Sequence, residues 1–283
     1  MNYRHAFHAG NFADVMKHAI LARLVDYLKG KDKAFRVIDT HAGAGLYDLR
    51  ADASARTGEW SGGIGRLIEA ELPAEVARLL APYLLAVEET RKEGIDLYPG
   101  SPLLVRHLLR AQDRLTAIEL HPDDAARLRR LFAGDHQVRV IELDGWLALG
   151  AHLPPKEKRG LVLVDPPFEE PGEFGRLADG LARAVRRWPG GTYALWYPVK
   201  HRSAVSAFRD EVARLGLPRV LDIRLEIRAP STLPALDGSG MLIVNPPFTL
   251  EAELAVLMPV LTRLLSDGAG ARWSVESIGT ERA

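Results

Sequence analysis

Residues 35–45 read Phe-Arg-Val-Ile-Asp-Thr-His-Ala-Gly-Ala-Gly, an apolar run that closes on Asp39 and then breaks into a turn of small residues. The run predicts a short buried strand, and a turn this rich in glycine lets backbone approach a ligand closely. Upstream, Val15, Ile20, Leu21, Leu24, Val25 and Leu28 recur at helical spacing, so residues 14–28 are expected to form an amphipathic helix that feeds the strand. Downstream the expected strand and helix alternation fails for about fifty residues. Residues 64–93 read as mostly helical, interrupted by Pro73 and Pro82, which makes 48–98 a helical insertion within a single domain spanning 1–283.

Beyond the insertion the rhythm becomes regular. Pro99-Gly100-Ser101-Pro102 starts a helix, with Ser101 as the expected N-cap and Pro102 at the first helical position. Strands follow at 115–119, 138–142, 161–164 and 192–196, with helices near 123–132, 174–188 and 203–215 and a turn at Asp144-Gly145. Strands near 220–227 and 240–244 have no convincing helix between them and read as an antiparallel hairpin. The pattern is an α/β, doubly wound, Rossmann-like fold: a mostly parallel seven-stranded sheet with an antiparallel final strand.

At 283 residues with 47% hydrophobic content the chain can bury a substantial core, and its formal net charge is zero. Basic residues nevertheless cluster at Arg4, Lys17, Arg23, Lys29, Lys31, Lys33 and Arg36. A second group comprises Arg183, Arg186, Arg187, Lys200, Arg202, Arg209 and Arg214, and either group is a candidate phosphate contact. There is no cysteine, so disulfides, thiolate metal sites and cysteine nucleophiles are excluded. No apolar run approaches the roughly 20 residues that cross a bilayer. A soluble, cytoplasmic monomer is the expectation.

In an open parallel sheet, ligands bind beyond the carboxyl ends of the strands, and four ends here carry acids: Asp39, Glu119, Asp144 with Gly145, and Asp165. Acids in register suit a ligand with hydroxyls and a positive group. A dinucleotide would need a glycine turn opening directly into a helix to cradle its pyrophosphate, whereas this turn leads into the insertion. S-adenosyl-L-methionine carries no phosphate and fits better. Glu119 can accept from ribose hydroxyls, and Asp144 from the adenine amino group.

Asp165-Pro166-Pro167-Phe168 is the sharpest chemical signal. The 6-amino group of adenine is a poor nucleophile because its lone pair is delocalised into the ring. A carboxylate and a backbone carbonyl that accept its two N–H bonds draw that pair out of conjugation. Asp165 supplies the carboxylate, Pro166 a stiff turn, and Phe168 a ring on which a base can stack, worth ~1–3 kcal/mol. A second tetrapeptide, Asn245-Pro246-Pro247-Phe248, follows the antiparallel strand. It is expected at the opposite edge of the sheet, in a structural role.

NYRHAFHAGNFADVMKH at 2–18, DTHAGAG at 39–45, YPGSP at 98–102, ELHP at 119–122, DPPF at 165–168, TYALWYP at 192–198 and SGM with NPPF within 239–248 together resemble the bacterial 23S ribosomal RNA adenine-N(6) methyltransferase J (RlmJ) family. The resemblance spans nearly the whole chain and implies a class I methyltransferase fold. It also implies that Lys17 and His18 face the cofactor with His41, Ser101, Glu119, Asp144, Gly145 and Asp165, that Asp165 is the catalytic acceptor, and that Tyr3, Arg4 and His5 lie near the substrate base or its phosphates. His5, His8, His18 and His41 lack the helical pairing of a zinc site, so no metal is expected. The alternatives are a DNA adenine-N(6) methyltransferase, for which the chain leaves little room for a target-recognition domain, and a non-catalytic RNA-binding module.

Overall fold

The computed structural model describes residues 7–51, 57–230 and 235–279. The chain enters the fold through a helix at Phe12–Lys29, where the Asn11 side chain accepts from the amides of Ala13 and Asp14 at 2.9 and 3.0 Å. The helix forms where the spacing predicts it, but without the polar, solvent-facing side that an amphipathic helix would have. It is buried on nearly every side, Asp14, Lys17 and Arg23 included, because helices Ala74–Glu93, Ser101–Leu108 and Leu250–Leu265 pack over it against the sheet.

The sheet begins in its own middle. β1 (Arg36–Asp39) pairs in parallel with β4 (Arg114–Glu119) on one side and with β6 (Gly160–Val164) on the other. β5 (Val138–Glu142) extends the first side and β7 (Thr192–Val199) the second, both in parallel. The winding direction therefore reverses next to β1, and the crevice that such a reversal opens lies at the carboxyl ends of β1, β4 and β6. The β2 (Leu46–Asp48) and β3 (Leu97–Pro99) strands form a separate antiparallel pair, Tyr47 opposite Tyr98, which brings together the two ends of the largely helical segment between them.

Two features differ from the sequence expectation. Among the described residues the main sheet has eight strands, ordered β10-β8-β9-β7-β6-β1-β4-β5, because a strand at Arg272–Ser277 (β10) follows the Leu250–Leu265 helix and pairs with β8 (Val220–Glu226). The β8 and β9 (Gly238–Val244) strands do pair antiparallel, but β9 is not terminal. It is threaded between β7 and β8 and bonds to both. Burial explains the position: every residue of β9 is buried, as a central strand requires, whereas β10 is half exposed and suits an edge. Among the described residues no helix is long and apolar enough to cross a membrane.

Candidate active site

The carboxyl ends of these strands border a cavity of about 930 Å3. Lys17, His18, His41, Ser101, Glu119, Asp144, Gly145, Asp165 and Phe168 all line it, so residues spread over some 150 positions of sequence converge on one space. Tyr3, Arg4 and His5 lie outside the described residues.

At its centre the buried first helix meets β6. Lys17 Nζ lies 2.6 Å from Asp165 Oδ2 and 2.8 Å from Asp14 Oδ1, one helical turn before it. Burial works against this ammonium, but the two carboxylates outweigh it and hold Lys17 above its ordinary value. The same Nζ sits 5.9 Å from the Trp196 ring centroid, and Trp196 meets Phe168 edge-on at 5.7 Å. Asp14 and Trp196 lie inside the 2–18 and 192–198 motifs, but the sequence marks neither as a site residue.

Around this centre the strand-end acids organise backbone. Glu119 accepts the Gly43 amide on Oε2 and the His121 amide on Oε1, each at 2.7 Å, and burial pushes its carboxyl up. Gly43 has φ +62, and a Cβ there would collide with the Tyr47 hydroxyl, so the turn needs glycine on both counts. Asp144 is the N-cap of a short helix, Gly145–Ala151, accepting the Trp146 amide at 2.9 Å; the expected turn is a helix start. A Cβ on Gly145 would strike the Thr40 carbonyl and press to 2.8 Å on the His41 ring. Burial pushes His41 down to about 3, leaving a neutral imidazole at physiological pH.

Ser101 departs from its expected role as a cap. Gly100 is the N-cap of Ser101–Leu108, and the Ser101 hydroxyl instead donates to Asp39 Oδ2 at 2.6 Å. Asp39 is fully buried, and that burial pushes its carboxyl up to about 7. The histidines find separate partners: His8 meets Glu59 at 3.0 Å, His41 meets Thr40 at 2.9 Å, and His18 meets the Tyr98 hydroxyl at 2.8 Å, which continues to Tyr83 at 2.8 Å.

The two proline motifs stand at opposite edges. Asp165 follows β6 into the cavity, while Asn245 follows the antiparallel β9 and emerges where β7 and β8 begin. There the Asn245 side-chain amide donates to the carbonyls of Pro189 and Gly191 at 2.8 and 2.7 Å. Their turns also differ, positive φ falling on Phe168, the fourth residue of one, and on Asn245, the first of the other. The basic clusters of the sequence are partly consumed by structure: Arg23 pairs with Glu253, Arg36 with Glu157, Arg202 with Glu226, and Arg209 with Asp222 and Glu276.

A family model described as RsmJ, "Ribosomal RNA large subunit methyltransferase D, RlmJ", matches residues 32–278. The chain belongs to this family. It is 40% identical to the Ribosomal RNA large subunit methyltransferase J of Haemophilus influenzae over 285 residues, covering 99% of this chain and 100% of that one. With the protein of the same name from Escherichia coli K12 it shares 41% identity over 273 residues, 95% of this chain and 96% of that one. The crystal structure of protein LPL1258 from Legionella pneumophila, 33% identical, superposes with a TM-score of 0.86 over 95% of this chain and 98% of that one. Family membership and strand topology together make this a class I methyltransferase fold with an additional edge strand.

Proposed function

We propose that the protein transfers a methyl group from S-adenosylmethionine to the exocyclic 6-amino group of an adenine in 23S ribosomal RNA, and that the chain acts as a single domain carrying a helical insertion. The observation that carries this reading is Asp165, set at the carboxyl end of a central parallel strand with one oxygen held by a buried lysine and two prolines stiffening the turn after it.

The cofactor fits the residues present. Gly43 and Gly145 keep the cavity wall free of side chains at two points where a Cβ would collide with neighbours, and Glu119 and Asp144 supply carboxylate acceptors for ribose hydroxyls and an adenine amine. When bound, it supplies a methyl group on an electron-poor sulfonium. Asp165 and the Pro166 carbonyl accept the two N–H bonds of the target amine, which localises its lone pair and aims it. Lys17 on Oδ2 fixes the carboxylate plane, so that Oδ1 is the atom presented to the amine. The proton shed by the methylated nitrogen leaves along that same hydrogen bond. Phe168 and Trp196 offer aromatic faces for the base, and Tyr3, Arg4 and His5 belong to the substrate side of this reading.

The test is methyl transfer to 23S RNA transcribed in vitro, followed by nuclease digestion and nucleoside analysis. N6-methyladenosine at one position is expected. Methylation of a different atom, or of DNA in preference, would overturn the assignment.

A further inference from the structure

The positive charge concentrated in residues 29–36 does not sit at the cavity. β1 starts at Arg36 and ends at Asp39, so the loop before it lies at the other edge of the sheet. From Arg159, just before β6, to Asp165, just after it, the backbone rises roughly 20 Å at about 3.3 Å per residue.

That far edge is constructed to display basic side chains. Arg110 donates to the carbonyls of Lys29, Lys31 and Lys33 at 3.1, 2.9 and 3.3 Å, and Arg159 donates to the carbonyls of Lys33 at 2.7 Å and of Leu28. Both guanidiniums lie against Phe35, 5.6 and 5.7 Å from its centroid. The loop is thus pinned through its main chain, while the Lys31 and Lys33 side chains are exposed. Lys156 and Lys158, in the loop tied to β1 by the Arg36–Glu157 pair, are exposed as well. So is Arg219, ahead of β8, which donates to the Pro246 carbonyl in the second proline motif.

Acids here are largely committed: Asp113 to Arg110, Glu157 to Arg36, and Asp26 to Arg23 and Lys29, with Asp32 exposed among the lysines. Helix dipoles do not account for the charge, since Lys31, Lys33, Lys156, Lys158 and Arg219 stand in loops rather than in last helical turns. Beside them Phe248 is 81% exposed, the most exposed large hydrophobic side chain among the described residues, its ring 5.9 Å edge-on to Tyr27.

We propose that this far edge is a second RNA-contact surface, taking the phosphates of a segment remote from the target adenine and stacking an unpaired base on Phe248. The inference rests on the ribosomal RNA reading above. Exposed lysines neutralise phosphates and release counterions, and a free aromatic face is what a single-stranded base stacks on. An anionic bilayer would use the charges but gains little from one ring. RNA gripped at both edges is held bivalently, so loss of the far contact weakens affinity and leaves the chemical step alone.

The test uses Lys31→Glu/Lys33→Glu, Phe248→Ala, and the control Arg78→Glu/Lys92→Glu on the exposed side of the Ala74–Glu93 helix. Binding to in vitro transcribed 23S RNA is measured across a salt series, alongside single-turnover methylation at saturating RNA, S-adenosylmethionine affinity and thermal midpoint. The double lysine variant is expected to bind roughly tenfold more weakly, with its salt slope flatter by about 2. Phe248→Ala is expected to lose about fivefold or more with the slope unchanged. Saturating rate, cofactor affinity and midpoint stay at wild-type values. An unchanged affinity and slope in the lysine variant, an equal loss in the control, or wild-type RNA affinity combined with lost binding to phosphatidylserine vesicles would overturn the surface. Wild-type protein that binds 23S RNA without methylating it would instead overturn the functional reading and leave the surface standing.

Discussion

The stability of Asp39→Asn relative to the wild type will rise with pH. The Asp39 carboxyl has no solvent exposure, and burial, reinforced by the nearby Asp165 carboxylate and opposed by the Ser101 hydroxyl and the His41 amide, pushes it up to about 7 from 3.8. The native state therefore keeps a proton that the unfolded chain has lost, and stability falls as pH climbs between those two values. At 1.36 kcal/mol per pH unit the full window is worth roughly 4 kcal/mol, of which about 2–3 kcal/mol falls between pH 5 and pH 8. Asparagine accepts the Ser101 hydroxyl but cannot ionise. Urea unfolding of both proteins at pH 5, 6, 7 and 8 reads the difference directly, and any change in hydrogen-bond strength enters as a constant offset of either sign. A gain for the variant that grows by about 2–3 kcal/mol across the range is expected. A flat difference would show that Asp39 titrates alike in both states and that its burial carries no such penalty.

Asp165→Ala is expected to lower single-turnover methylation by roughly 10^3-fold or more while cofactor affinity changes little, whereas Asn245→Ala keeps the rate and loses about 1 kcal/mol of stability, chiefly through the part-buried Gly191 carbonyl it leaves without a donor. The reverse outcome in folded proteins would move the catalytic assignment to Asn245. Lys17→Met strands the buried Asp14 carboxylate and the half-buried Asp165 carboxylate and is expected to cost about 3 kcal/mol in chemical denaturation; a loss below ~1 kcal/mol would mean that the triad is not energetically coupled. Gly145→Ala forces the strand-end turns apart and is expected to weaken S-adenosylmethionine binding more than tenfold by calorimetry, an idea that unchanged affinity would end.

The parallel half of the sheet was legible because its strands are short apolar runs that end in acids, and one rule about strand ends then located Glu119, Asp144 and Asp165 on one cavity; Asp39, at the same edge, is fully buried on Ser101 and does not line it. Direction alone separated DPPF from NPPF. What sequence could not supply was pairing over distance. Lys17 meets Asp165 across 148 residues, and β2 meets β3 across the insertion, contacts that no local pattern encodes. Local rules also misassigned side chains with two plausible uses: Ser101 has the chemistry of a cap but is spent on Asp39, and Asp144 before glycine reads as a turn but starts a helix. The last elements were hidden by their own composition, since Pro259 interrupts the Leu250–Leu265 pattern and the edge strand Arg272–Ser277 is too polar to stand out.

The threading of β9 between β7 and β8 has a consequence for vectorial synthesis. Until Val244 has left the ribosome, β7 presents an open row of main-chain donors and acceptors on its outer side, and β8 emerges with no neighbour against which to register. The nascent chain thus carries an adhesive strand edge through the interval between Val199 and Val244, the kind of edge that recruits other chains. Closure is late and abrupt, because one strand completes two ladders at once, so a ribosome stalled within that interval would release a sheet with its core laid down and one flank unsealed.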